Sequence, residues 1–130
     1  MKKRGILQHE LSDLVARMGH TDTLVICDAG LPVPPGVQRI DLAISAGVPS
    51  FMQVLRPLLE DLAVESVVIA REQKEASPEF HEELKSALGS TPIREVPHVE
   101  FKQMTKDARA VIRTGEFTYY ANIIIVAGVA

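Results

Sequence analysis

Residues 23–36 read Thr23-Leu24-Val25-Ile26-Cys27-Asp28-Ala29-Gly30-Leu31-Pro32-Val33-Pro34-Pro35-Gly36. The first five form a β-branched apolar run without alternation, the pattern of a strand covered on both faces. Asp28 ends the run. Pro32, Pro34 and Pro35, set between Gly30 and Gly36, make the following segment a stiff, ordered loop, because proline pre-sets φ. Similar runs return at 66–70, 110–113 and 122–126, and Ile93 to Val96 reads as a further short strand. Val37 to Ile44 alternates apolar and polar and predicts a further strand. Helical spacing fills the intervals. Leu7, Leu11, Leu14, Val15 and Met18 predict a helix over about 7–18, with Gly19 as its C′ glycine. Ser50-Phe51-Met52-Gln53 has the form of a capping box and opens a helix to about Ala63, in which Pro57 marks a kink or the first turn. Ser77-Pro78 reads as N-cap and N1 of a helix that buries Phe80, Leu84 and Leu88 and stops at Gly89. A last helix runs from His98 to about Asp107, with Phe101, Met104 and Ala108 inward. Strand and helix alternate throughout. The predicted fold is therefore α/β, a three-layer sandwich with a central, mostly buried mixed sheet flanked by helices.

The 130 residues suit a single domain spanning 1–130, and 46% hydrophobic content supplies a core without staples. A net charge of −3 argues against nucleic acid as a partner, and the absence of Trp leaves few platforms for base stacking. The lone cysteine, Cys27, excludes an intramolecular disulfide and lies within an apolar strand, where it reads as core. Met1-Lys2-Lys3-Arg4 is basic, but no apolar h-region follows, and the longest apolar run, 123–130, is too short for a bilayer. A cytoplasmic protein without membrane association is expected. No GxGxxG or GxxxxGK[ST] loop occurs, and His9, His20, His81 and His98 lack metal-ligand spacing. The segment Glu72 to Glu83 is charge-rich and reads as a solvated helix face.

Loops at strand ends carry chemistry more often than core positions do. His20, in Gly19-His20-Thr21-Asp22, is suited to general acid/base work near neutral pH, or is a surface histidine beyond a helix end. Asp28 can grip a hydroxyl or orient an imidazole, or simply nucleate an Asx-turn. His98 opens a helix, whose N-terminal dipole disfavours the imidazolium, and Lys102 shares its face. The alternative is a solvated helix start. Arg113-Thr114-Gly115-Glu116 and Tyr119-Tyr120-Ala121-Asn122 bracket the last turn. Gly115 permits a tight backbone there, while Tyr120 and Asn122 offer the hydroxyl, ring face and amide that suit a polyol.

Taken in order, Met18-Gly19-His20-Thr21-Asp22, Asp28-Ala29-Gly30-Leu31-Pro32, Thr114-Gly115-Glu116 and Tyr120-Ala121-Asn122 resemble the D-ribose pyranase family, the ribose branch of the ribose/fucose mutarotases. Lys3-Arg4-Gly5-Ile6-Leu7 and the run from Lys106 to Arg113 are similar to that branch too, so the resemblance covers essentially the whole chain. It implies interconversion of the pyranose and furanose forms of D-ribose without a cofactor, on an α/β fold assembled as a decamer of two pentameric rings. It implies His20 as proton donor, and Asp28, His98, Tyr120, Ala121 and Asn122 as sugar-binding residues. Lys102 is a further candidate hydrogen-bond donor. The fucose branch differs in the loop after Asp28 and tends to carry Arg where this chain has His98. The rival readings are anomer exchange on fucose or a related sugar, and a sugar-binding ring that catalyses nothing.

Changing ring size means opening the hemiacetal to the aldehyde and closing it through another hydroxyl. That requires an acid at the ring oxygen and a base at the anomeric hydroxyl, both within reach of imidazole chemistry. One geometric point follows. His20 precedes the strand 23–27 and Asp28 follows it, so the two lie roughly 16 Å apart along a straight strand. Unless residues 20–22 fold back, a sugar meets His20 and Asp28 from different subunits.

Overall fold

The computed structural model describes residues 1–130. Its elements in chain order are α1 (His9–Arg17), β1 (Thr23–Cys27), β2 (Gln38–Asp41), α2 (Phe51–Asp61), β3 (Val64–Ala70), α3 (Gln73–Ala76), α4 (Pro78–Leu88), β4 (Ile93–Val96), α5 (His98–Met104), a 3-10 turn (Thr105–Asp107), β5 (Ala110–Arg113) and β6 (Ile123–Ala127). The strands form one six-stranded sheet in the order β2-β5-β1-β6-β3-β4. β1 pairs parallel with β5, β5 with β2, and β3 with β4, whereas β6 runs antiparallel to both β1 and β3. The sheet is thus mixed, with its one reversed strand near the centre.

The unalternating apolar runs are explained by this arrangement. Successive side chains of a strand point to opposite faces, and both faces are covered. Leu24, Ile26, Ile69, Ile112, Ile123 and Ile125 point into the larger core, which Leu11 and Leu14 of α1, Leu55 and Leu58 of α2, and Phe80 and Leu84 of α4 close from the other side. Val25, Cys27, Val68, Val111 and Ile124 point the opposite way into a smaller core, closed by Phe101 of α5 together with Leu31 and Val33 of the proline-rich loop. The three layers are present, but the second outer layer is one short helix and a loop.

Local signals account for most element boundaries. Ser50 and Gln53 form the reciprocal capping box, with the Gln53 amide donating to Ser50 Oγ at 3.2 Å and the Ser50 amide to Gln53 Oε1 at 2.9 Å. Pro57 lies inside α2, past its first turn. Gly89 ends α4 at φ 59°, a left-handed conformation that glycine adopts freely.

Several expectations are corrected. α1 begins at His9, not 7: Gln8 caps it by accepting the Leu11 amide at 2.7 Å, which leaves Leu7 exposed outside the apolar stripe. Gly19 is not a left-handed C′ residue. Met18 leaves α1 in extended geometry, and the positive φ falls on Thr21, whose amide is held by the Ala127 carbonyl. β2 is shorter than 37–44, because residues beyond Asp41 leave the sheet edge to form a loop bridged between Ser45 and Val48. α5 ends at Met104, and residues 105–107 tighten into the 3-10 turn. α3 was not expected, and the charge-rich segment 72–83 is not simply solvated: Gln73 and His81 are buried.

Candidate active site

Five parallel strands aim their carboxyl ends at one edge of the sheet, the usual place for a ligand in α/β folds. A cavity of about 810 Å³ opens there. Asp28 enters it from the end of β1, Arg113 from β5, His98 and Lys102 from α5, and Tyr120 and Asn122 from the segment before β6. Residues 28 to 122 of the sequence are gathered because β6 is inserted beside β1. Asn122, immediately before β6, thereby accepts the Asp28 amide on its Oδ1 at 2.9 Å.

Asp28 forms the expected Asx-turn and also lines the cavity. Its Oδ1 accepts the amides of Gly30 at 3.0 Å and Leu31 at 2.9 Å, an Asx-turn that launches the proline-rich loop. Both bonds fall on Oδ1, so Oδ2 is not used by the turn. Burial pushes the carboxyl above its ordinary pKa of 3.8, against the pull of those amides and of nearby His98. A group with a raised native pKa stabilises the fold most when protonated, below pH 3.8, and that contribution is lost as pH rises through the native value. At pH 7 the buried carboxylate is therefore a cost to folding. Asp28→Asn preserves the turn acceptor and removes the charge. It is expected to raise Tm at pH 7 by a few degrees and to weaken sugar binding about tenfold. Calorimetry with and without sugar checks this; a lower Tm contradicts it.

His98 is the first residue of α5, after Pro97, and its amide donates to Glu72 Oε1 at 3.0 Å and Oε2 at 3.2 Å. Its ring stacks on Phe101 with centroids 6.2 Å apart and meets the Tyr120 ring edge-on at 5.0 Å. Nδ1 is buried and has no hydrogen-bond partner. Such orphans are rare in native proteins, and this one belongs to a residue that lines the cavity. Burial first, and then the Lys102 ammonium, lower the imidazole pKa below 6.5, with Glu72 and Asp28 opposing. His98 is thus neutral at pH 7 and able to donate or accept. Its NMR titration is expected to show a midpoint below 6.5, rising toward 6.5 in Lys102→Ala. A depressed native pKa stabilises the fold above pH 6.5, and that stabilisation fades as pH falls through the native value.

Tyr120 adopts φ 59°, an uncommon conformation for a side chain of its size. Ala121 does not line the cavity: its side chain is buried in the larger core, so only its backbone is available to a ligand. Arg113, Glu116 and Thr118 line the cavity as well and were not singled out for binding. Arg113 Nε donates to the Ala29 carbonyl at 3.0 Å, its Nη1 reaches both Asp41 oxygens at 3.2 Å, and the Glu116 carbonyl accepts the Ala29 amide at 2.8 Å. These contacts hold the loop that follows Asp28. Adjacency of β5 to β1 creates them, and that adjacency is not a local property of the sequence.

His20 lies elsewhere. It sits in the turn before β1, at the opposite end of the strand from Asp28, half-exposed, with Nε2 2.8 Å from Glu65 Oε1. Residues 20–22 do not fold back toward the cavity: the backbone of Thr21 and Asp22 is bonded to Ala127, at the far end of β6. Cys27 is buried, with its thiol pushed up to about 12 by burial, which makes it inert. No three His, Cys, Asp or Glu side chains converge in a way that would hold a metal ion. No helix is long and apolar enough to cross a membrane.

The protein is 53% identical to a D-ribose pyranase of Coprothermobacter proteolyticus over 129 residues, covering 99% of this chain and 98% of the relative. It is 50% identical to a D-ribose pyranase of Geobacillus kaustophilus over 130 residues, 100% of this chain and 96% of the relative. The solved structure of Bacillus subtilis RbsD complexed with D-ribose matches with a TM-score of 0.97 at 50% identity, over 100% of this chain and 99% of that one. The match to the family extends over residues 1–130, and the chain belongs to the RbsD / FucU transport protein family.

Proposed function

We propose that this protein interconverts the β-pyranose and β-furanose forms of free D-ribose by general acid/base opening and reclosure of the ring. The observation that carries the reading is the meeting of a neutral imidazole with an orphaned Nδ1, a carboxylate, a phenol and an amide at one cavity wall, in a chain half identical to a ribose-bound relative. In ring opening one proton leaves the anomeric hydroxyl as its oxygen becomes the aldehyde C=O, the bond from the anomeric carbon to the ring oxygen breaks, and one proton is added to that oxygen. The reaction as proposed needs no cofactor, and the neutral, hydroxyl-rich substrate matches a cavity of hydrogen-bonding groups. Asp28, His98, Tyr120 and Asn122 hold hydroxyls, Lys102 adds a donor at the mouth, and the backbone of Ala121 is the remaining contact.

His20 is the proposed proton donor. Its place at the opposite end of β1 from Asp28 supports a reading in which a second copy supplies it. The proposed assembly is a homodecamer of two pentameric rings, in which His20 of one copy reaches the Asp28–His98 cavity of another. The single free cysteine fits a reducing, cytoplasmic setting. NMR exchange spectroscopy on equilibrated D-ribose tests the activity. Faster pyranose–furanose exchange with the protein supports it. Ribose binding with unchanged exchange indicates a non-catalytic sugar-binding ring, and faster anomer exchange on fucose alone indicates the other branch.

A further inference from the structure

Tyr120 and Asn122 can meet a sugar only if residues 119–122 keep their bend, and the side chains that secure it come from a distant part of the chain. Gln73, on the short helix α3, is fully buried. Its Nε2 donates to the Tyr120 carbonyl at 2.9 Å and lies 3.5 Å from the Asn122 carbonyl, a weaker contact. Its Oε1 faces His81 Nδ1 of α4 at 2.9 Å. One residue before α4, Ser77 Oγ donates to the Tyr119 carbonyl at 2.7 Å. Carbonyls only accept, so the Gln73 amide must turn its NH₂ toward residues 120 and 122 and its oxygen toward His81. His81 must then carry its hydrogen on Nδ1. The orientation of each group is fixed by the next. The Tyr120 carbonyl also takes the Asn122 amide at 2.8 Å, so both its lone pairs are engaged at the residue with positive φ.

None of Gln73, Ser77 and His81 lines the cavity. We propose that Gln73, oriented by His81, is a positioning residue for the sugar site: it clamps the left-handed bend at Tyr120, and so aims the Tyr120 phenol and the Asn122 amide into the cavity. A buried amide is poorly explained as filler, since leaving its polar atoms unpaired would be costly and an apolar residue would serve packing better. The alternative is a network that only stabilises the packing of α3 and α4 on the sheet. The proposal rests on the sugar-site reading above.

Three variants separate these. Gln73→Leu keeps the volume and removes all three contacts. His81→Leu removes the donor that orients Gln73, and His81→Asn restores a donor near the position of Nδ1. In Gln73→Leu and His81→Leu, KM and the ribose Kd from calorimetry are expected to rise about tenfold with a smaller change in kcat, and His81→Asn to return close to the parent value. Loss of Tm without a change in ribose Kd or KM, or equal behaviour of His81→Leu and His81→Asn, overturns the proposal. If Gln73→Leu does not fold, the His81 pair carries the comparison. Amide hydrogen exchange at Asn122, measured without sugar, is expected to quicken about tenfold in His81→Leu. If the parent protein neither binds nor converts ribose, the sugar reading fails. Unchanged exchange at Asn122 would separately overturn the clamp.

Discussion

Replacing His20 by Ala is expected to lower the catalysed ribose exchange rate by about 10²–10³-fold, although His20 lies at the far end of β1 from the cavity that would bind the sugar. Within one chain the His20 ring is hydrogen-bonded to Glu65, at a half-exposed surface. Removing a hydrogen bond between two such exposed side chains costs little stability, so Tm is expected to hold within a degree or two. A large loss of rate with an intact fold then points to a second copy as the place where His20 works. Complementation makes this decisive. Alone, at sugar concentrations below Kd, His20→Ala should keep at most about 1% of the parent rate and Asp28→Asn about a tenth of it. In a mixture of the two, allowed to exchange subunits, a shared site has both residues intact when His20 comes from one variant and Asp28 from the other. For random mixing that is about a quarter of the sites, so about a quarter of parent activity is expected. Were each site built from one chain, every site in the mixture would carry a lesion and activity would not rise above that of the variants alone. A monomeric variant with full activity would also sink the shared site.

Gly115→Ala is expected to destabilise the fold by about 3 kcal/mol, lowering Tm by roughly 10 °C. The reason is steric, not conformational, since Gly115 has no positive φ. A Cβ at this position would lie 2.5 Å from the Ser45 carbonyl oxygen and 2.6 and 2.7 Å from the oxygen and nitrogen of Val48. All three are backbone atoms, so no side chain can rotate away. The loop around Ser45–Pro49 is stitched to the turn here: the Gly115 amide donates to the Pro49 carbonyl at 2.8 Å and its carbonyl accepts the Gly47 amide at 2.6 Å. Pushing the loop outward breaks both bonds. It also strains Glu116, whose Oε1 accepts the Phe51 amide at 3.0 Å and so caps α2. Glu116 and Thr118 line the cavity, so sugar affinity should fall together with Tm. Thermal melts and ribose calorimetry on the same sample check this. A Tm within 2 °C of the parent would mean the loop detaches without cost.

Much of the fold and part of the site are legible in local sequence. The apolar runs at 23–27, 66–70 and 122–126, the capping box at Ser50 and Gln53, Ser77-Pro78 and Gly89 place their elements close to where they occur, because these signals act through neighbouring backbone groups. At Asp28 the Asx-turn is the legible part: it uses Oδ1 alone and leaves Oδ2 outside the turn. Ser77 is a subtler case. It precedes α4 as its composition suggests, but its hydroxyl bonds the Tyr119 carbonyl and caps no helix amide. The segment around Gln73 reads as solvated because its neighbours are charged. Its burial is decided by carbonyls 47 and 49 residues further along the chain.

The sequence by itself determined the alternation of strands and helices, the two-sided burial of the sheet and the identity of the polar residues at strand ends. These follow from side-chain periodicity and turn chemistry, which operate over a few residues. Only the tertiary structure decided that β6 enters antiparallel between β1 and β3, which sets Asn122 against Asp28 and leaves His20 at the opposite edge. Strand order depends on burying whole faces at once, a requirement summed over the entire sheet. No local stretch of residues encodes it.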